Sequence, residues 1–212
     1  MLPSTLAKSQ RPTLYVHAEE PLEIDFSDFL QPMSDDEFAD FCQQNRDLRI
    51  EMGQYGEITI MSPTYSETGA INFNLSVEFG IWARTDGTGQ GFDSSTGFIL
   101  PNGAKRSPDL SWIKLERWLA IPDQQRKKFA PICPDFVVEL RSASDSLPRL
   151  QAKMAEYIAN GAKLGWLLDP IDKQVHVYQP DIPVQILENP NELSGEPLLK
   201  GFVLSMKTVF GE

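Results

Sequence analysis

Two cysteines and two histidines are all that the 212 residues contain. Cys42 and Cys133 point to neither a disulfide framework nor a zinc site. His17 and His176 are too few for a histidine-rich metal centre. No apolar run approaches the roughly eighteen residues that cross a membrane, so no membrane contact is expected. Basic residues are outnumbered, 19 Lys and Arg against 30 Asp and Glu, for a net charge of -11. That counts against a protein that simply coats nucleic acid, where phosphate contacts dominate affinity. It leaves room for a nuclease, since clustered carboxylates add negative charge until a metal neutralises them. Met1-Leu2-Pro3-Ser4-Thr5 lacks the basic-then-apolar order of a signal peptide, so a cytoplasmic location is expected.

The length suits a single domain over 1–212 with a real core. Residues 1–32, broken by Pro3, Pro12, Pro21 and Pro32, read as an N-terminal arm, with an edge strand at Leu14-Tyr15-Val16. The core is expected over 33–178, and C-terminal edge strands over 179–212. Ser34 with Glu37 and Met33 with Phe38 mark a helix start through a capping box and staple. Leu48–Met52 and Glu57–Met61 alternate around Gly53 and Gly56 as a hairpin. A helix follows from about Ser66 to Arg84, with Ile71, Leu75 and Trp82 on one face. Glu67 and Glu78 share that stripe, where acids are out of place. Gly91–Leu100 and Ala104–Ile113 read as one strand each, the first with a candidate bulge at Gly97 and the second with Asp109 in its middle. The insertion 114–133 carries a short helix and the basic trio Arg126-Lys127-Lys128, which reads first as a solvated face. Asn189–Gly195 reads as loop. Late strands are expected at Val184–Leu187 and Phe202–Leu204.

Pro134-Asp135-Phe136-Val137-Val138-Glu139-Leu140-Arg141 organises the rest. Its continuous apolar run suits a central strand covered on both faces. Ser146, Pro148 and Asn160-Gly161 bound a helix with the stripe Leu147, Leu150, Met154, Tyr157 and Ile158. Leu164–Asp169 is again a short apolar strand. Strand, helix and strand at this spacing form a right-handed βαβ crossover. The fold class is therefore α/β with a mixed sheet: an antiparallel meander plus one parallel crossover, flanked by helices.

Asp109 and Glu139 fall on consecutive strands, so their carboxylates can converge. Two adjacent carboxylates raise each other's pKa unless a cation neutralises both. Oxygen ligands alone favour Mg2+ or Mn2+. Glu78 is a candidate to join this cluster. The competing readings are ordinary: a strand-end acid at Asp109, a salt bridge from Glu139 to Arg141 or Lys105, and core for Tyr157.

Ser-Pro-Asp109, Val-Val-Glu139-Leu-Arg141-Ser, Lys153-Met-Ala-Glu-Tyr157-Ile-Ala-Asn-Gly161 and Gly-Trp-Leu-Leu-Asp169-Pro170 together resemble the Uma-two family of bacterial endonucleases. That family is similar to the PD-(D/E)XK restriction-endonuclease superfamily. The likeness runs over about Met33 to Tyr178 and takes in the Arg-Ile-Glu51-Met-Gly hairpin. It implies a restriction-endonuclease-like core and an endonuclease that hydrolyses DNA phosphodiester bonds with Mg2+ or Mn2+. Asp109, Glu139 and the Leu140 carbonyl would hold the metal, with Glu78 or Glu67 in a second position. Where the superfamily has Lys two residues after Glu139, this chain has Arg141, which can hold phosphate but cannot act as a base. Lys153 on the next helix is the candidate replacement. DNA is the expected substrate, and a homodimer is compatible with the resemblance. The rivals are a catalytically impaired interaction or regulatory protein on the same fold, and a hydrolase of small phosphate esters.

Overall fold

The structure is a computed structural model that describes residues 22–24 and 33–210. The strand expected at Leu14-Tyr15-Val16, like most of the N-terminal arm, lies outside the described residues. Strand β1 (Leu22–Ile24) precedes helix α1 (Asp35–Gln44). Ser34 and Glu37 form the reciprocal capping box that fixes the start of α1, and Phe38 is buried beneath it. Strands β2 (Arg49–Met52) and β3 (Ile58–Met61) form the hairpin. Gly56 turns it with a φ of 97°.

Helix α2 (Ser66–Asp86) runs into β4 (Gly89–Asp93), β5 (Phe98–Ile99), β6 (Lys105–Arg106) and β7 (Leu110–Lys114). Both long strands expected here are in fact broken. Asp93 Oδ1 accepts from Ser95 N and Thr96 Oγ1, a local turn that sends the chain from β4 to β5 in a different sheet. Between β6 and β7 the chain again changes sheet at Ser107-Pro108-Asp109. Proline cannot extend a ladder, so Asp109 stands in the crossing, just before β7, and not in mid-strand.

Short helices α3 (Leu115–Ala120) and α4 (Asp123–Arg126) fill the insertion. Strand β8 (Phe136–Leu140), helix α5 (Leu147–Ala159) and β9 (Leu164–Asp169) form the crossover, with β8 and β9 parallel. Strands β10 (Gln174–Gln179) and β11 (Ile182–Glu188) complete a six-stranded sheet in the order β11-β10-β9-β8-β7-β4. A second sheet has the order β1-β3-β2-β6-β5. Strand β12 (Glu192–Ser194) occupies part of the expected loop and pairs with β13 (Val203–Ser205). Helix α6 (Met206–Phe210) follows. Leu193, Phe202, Leu204 and Val209 cover one face of the six-stranded sheet, so this segment adds a layer instead of a sheet edge. Among the described residues, no helix is long and apolar enough to cross a membrane. Cys42 and Cys133 are both free thiols.

The two faces of β8 decide where the site lies. Phe136, Val138 and Leu140 pack with Ile71, Leu75 and Phe79 of α2. Val137 points the other way, to Met154 and Tyr157 of α5. By the two-residue period of a strand, Glu139 shares the α5 face.

Candidate active site

The pairing of β7 with β8 ends at Leu110 opposite Val138. One residue beyond, the Asp109 side chain takes the place of the next rung: Leu140 N donates to Asp109 Oδ2 at 2.9 Å. In an extended strand, N–H and C=O of one residue point to the same side. The Leu140 carbonyl therefore faces the Asp109 side of β8. Asp109 Oδ1 pairs with Arg49 Nη1 at 3.1 Å, and Arg49 Nη2 donates to the Ser107 carbonyl at 2.6 Å.

Glu139 is buried at the end of β8. Its Oε1 accepts from Lys153 Nζ at 2.8 Å and from the Tyr157 hydroxyl at 3.0 Å. Among the described residues, both of these bonds fall on Oε1 and not on Oε2. Lys153 and Tyr157 lie one turn apart on α5 and so present to one side. The ordinary partners considered for Glu139 are engaged elsewhere, Lys105 with Asp35 and Arg141 with Asp169 and Asp172.

The structure adds a third acid, Glu51. It is 3% exposed and accepts from Lys153 Nζ at 2.8 Å, from Ser107 N at 2.8 Å and from Arg106 Nη1 at 3.4 Å. Arg106 Nε also donates to Glu156 at 2.6 Å. Lys153 is thus shared by two buried carboxylates that come from different sheets. The network holds four carboxylates (Glu51, Asp109, Glu139, Glu156) against three cations (Arg49, Arg106, Lys153).

Burial pushes the Glu139 carboxyl up to about 7; Lys153 opposes this, while Asp109 and Glu51 reinforce it. Burial also pushes Glu51 up, but Lys153 and Arg106 outweigh it and hold that carboxyl below its usual value. Lys153 is pulled down by burial and carried above its usual value by Glu139 and Glu51. It therefore stays an ammonium ion at neutral pH. Burial, then Glu139 and Glu51, keep the Tyr157 hydroxyl protonated as a donor.

Sequence reasoning brought Asp109, Glu139, Leu140 and Lys153 to one place, and the structure does the same. Arg141 and Glu78 are not brought there. Arg141 Nη1 lies 2.6 Å from Asp169 Oδ2 and 2.8 Å from Asp172 Oδ2, clamped across the strand ends. Glu78 belongs to α2, whose buried stripe packs on the opposite face of the sheet from Glu139. Tyr157 is core and site at once. Arg49, Glu51, Arg106 and Glu156 were overlooked. Alternation had placed Arg49 and Glu51 opposite the apolar Ile50 and Met52, a pattern that looks like a solvent face until the second sheet is known to fold back.

Among the described residues, no three His, Cys, Asp or Glu side chains close on one point as a metal centre. The donor set that suits a hard cation is oxygen only: Asp109, Glu139 Oε2 and the Leu140 carbonyl. Magnesium accepts such a set, because it keeps several waters and takes one or two carboxylates plus substrate phosphate. The charge excess at Glu139 is the local observation that favours this fit. Beside the cluster, α5 and the β2–β3 hairpin line a groove of about 840 Å³ that includes Glu51, Arg106, Lys153, Arg149 and Asn102.

The Uma2 family model, described as "Putative restriction endonuclease", matches residues 35–207. The crystal structure of a "putative nuclease" from Anabaena variabilis ATCC 29413 superimposes with a TM-score of 0.68 at 20% identity, over 85% of this chain and 98% of that one. At that identity the likeness speaks for the fold. No curated protein matches the chain in sequence. The architecture is restriction-endonuclease-like, and with a family match that runs from α1 into α6 the chain belongs to the Uma2 family.

Proposed function

We propose that this protein is a metal-dependent endonuclease that hydrolyses DNA phosphodiester bonds at the Asp109–Glu139–Lys153 site. The observation that carries this reading is the position of Lys153, 2.8 Å from both Glu139 and Glu51. A lysine beside the second acid is what the superfamily resemblance calls for, and here it arrives from α5. Asp109, Glu139 and the Leu140 carbonyl would hold Mg2+ or Mn2+. Such an ion polarises phosphate and lowers the pKa of bound water.

The chain's own residues then have distinct tasks. Leu140 N–H fixes the Asp109 carboxylate, which is paired with Arg49 in the metal-free chain. The Tyr157 hydroxyl and Lys153 fix Glu139 by one oxygen. Lys153 keeps its proton, so it orients water and stabilises phosphate charge in place of acting as a general base. Glu51 holds the second hydrogen of that ammonium and stops it from collapsing fully onto Glu139. The adjoining groove offers room for the DNA strand.

Calorimetry with Mn2+ on the wild type, Asp109→Asn and Glu139→Gln tests the metal site. Binding in the wild type that both variants lose supports the reading. A second reading, a catalytically impaired interaction or regulatory protein on the same fold, draws on the net charge of -11. It gains if the wild type takes up no Mn2+ and leaves plasmid DNA intact.

A further inference from the structure

The tasks above leave the reach of Arg49 unexplained. Its Nη1 pairs with Asp109 and its Nη2 holds the Ser107 carbonyl, while its Nε is buried without a hydrogen-bond partner among the described residues. Of the three cations in the network it is the most accessible: its side chain is 34% exposed, against 15% for Arg106 and 13% for Lys153. It also sits on the same Asp109 carboxylate that the nuclease reading assigns to the metal. A divalent cation on that carboxylate would meet the guanidinium as a like charge and compete with it for the same negative charge.

We infer that Arg49 is a two-position side chain: resident counter-ion of Asp109 in the metal-free protein, and ligand of the scissile phosphate once a divalent cation takes Asp109. This rests on the nuclease reading of the site. The released guanidinium keeps its foothold on β2, with a planar fork suited to paired phosphate oxygens. Its unpartnered Nε then gains an acceptor. Asp109 tolerates the exchange, because Leu140 N–H still holds one oxygen and the metal replaces the lost charge.

Arg141, the arginine that the sequence suggests for phosphate, has no such freedom. Its main partner Asp169 is fully buried, so release would strand a carboxylate held by the Ile171 and Asp172 N–H groups. An unpaired charge that is fully buried is more costly than one that keeps some exposure, as Asp109 does at 16%.

The test sets two readouts against each other. Mn2+ affinity is measured by calorimetry, and turnover on supercoiled plasmid DNA is measured at saturating Mn2+, for wild type, Arg49→Gln and Arg49→Lys. Thermal melts of each check folding. Arg49→Gln is expected to bind Mn2+ about three- to fivefold tighter, the scale of one partly exposed ion pair, and to cut at least about tenfold more slowly. Arg49→Lys keeps the charge but loses the fork, so its Mn2+ affinity stays within about twofold of wild type while its turnover falls. Unchanged or weaker Mn2+ binding by a folded Arg49→Gln overturns the counter-ion role, and undiminished cleavage overturns the phosphate role. In either case the metal site itself stands. Absence of Mn2+ binding in the wild type removes this inference together with the nuclease reading.

Discussion

Lys153 lies 2.8 Å from Glu139 although the two belong to different elements, a helix and the strand before it. The loop and first turn of α5 carry the chain back over β8, and the lysine arrives above the acid at the end of that strand. The same ammonium reaches Glu51 in the other sheet. One side chain therefore ties together the crossover and the hairpin.

Removal of that tie leaves two buried carboxylates facing each other. Lys153→Met is expected to lower metal-free stability by about 3 kcal/mol, the scale for breaking a buried pair. Urea denaturation should show it, and Glu51→Gln in the same chain should restore part of the loss.

The Glu139 carboxyl is raised in the folded chain from the usual 4.5 to about 7. The folded state therefore holds a proton that the unfolded chain has released between those values. By linkage, this group's contribution is fully present below about 4.5 and is lost as pH rises through about 7. Glu139→Gln removes that dependence. The difference in melting temperature, wild type minus Glu139→Gln, should fall steadily between pH 4.5 and 7. Mn2+ uptake by the wild type should strengthen over the same range, because the metal needs the ionised carboxylate.

Arg141 belongs to the frame and not to the metal site. Arg141→Ala is expected to destabilise the chain by about 2–3 kcal/mol, since it strands the buried Asp169. Its Mn2+ affinity should stay within about twofold of wild type by calorimetry.

Glu78 lies across the sheet from Glu139. Glu78→Gln should change neither Mn2+ affinity beyond about twofold nor stability beyond about 0.5 kcal/mol, as for a half-buried acid outside any network. A marked loss of metal binding would put Glu78 back in the cluster.

The crossover was legible because its signals are local. The apolar run at 136–140, the proline and cap at the start of α5, and Gly161 at its end each act within a few residues. Lys153 followed from that helix, since its place beside the Met154 and Tyr157 stripe is fixed by helical period. What the sequence concealed was the passage between sheets. Asp93 and Pro108 break strands that read as continuous, and only that break swings β2 and β6 beside α5. Glu51, Arg49 and Arg106 enter the site through this long-range fold-back, which no window of a few residues contains. Glu78 misled because a helix wheel shows which face is buried without saying which side of the sheet buries it.

Whether Lys153, Asp109 and Glu139 form a working nuclease centre is tested by nicking of supercoiled plasmid DNA in Mg2+ by wild type, Asp109→Asn and Lys153→Met, with matched melts to show that each is folded. Metal-dependent nicking by the wild type is expected, with a loss of at least about 100-fold in both variants. Equal nicking by all three, or none by a wild type shown to bind Mn2+, would mean that these residues form no such centre.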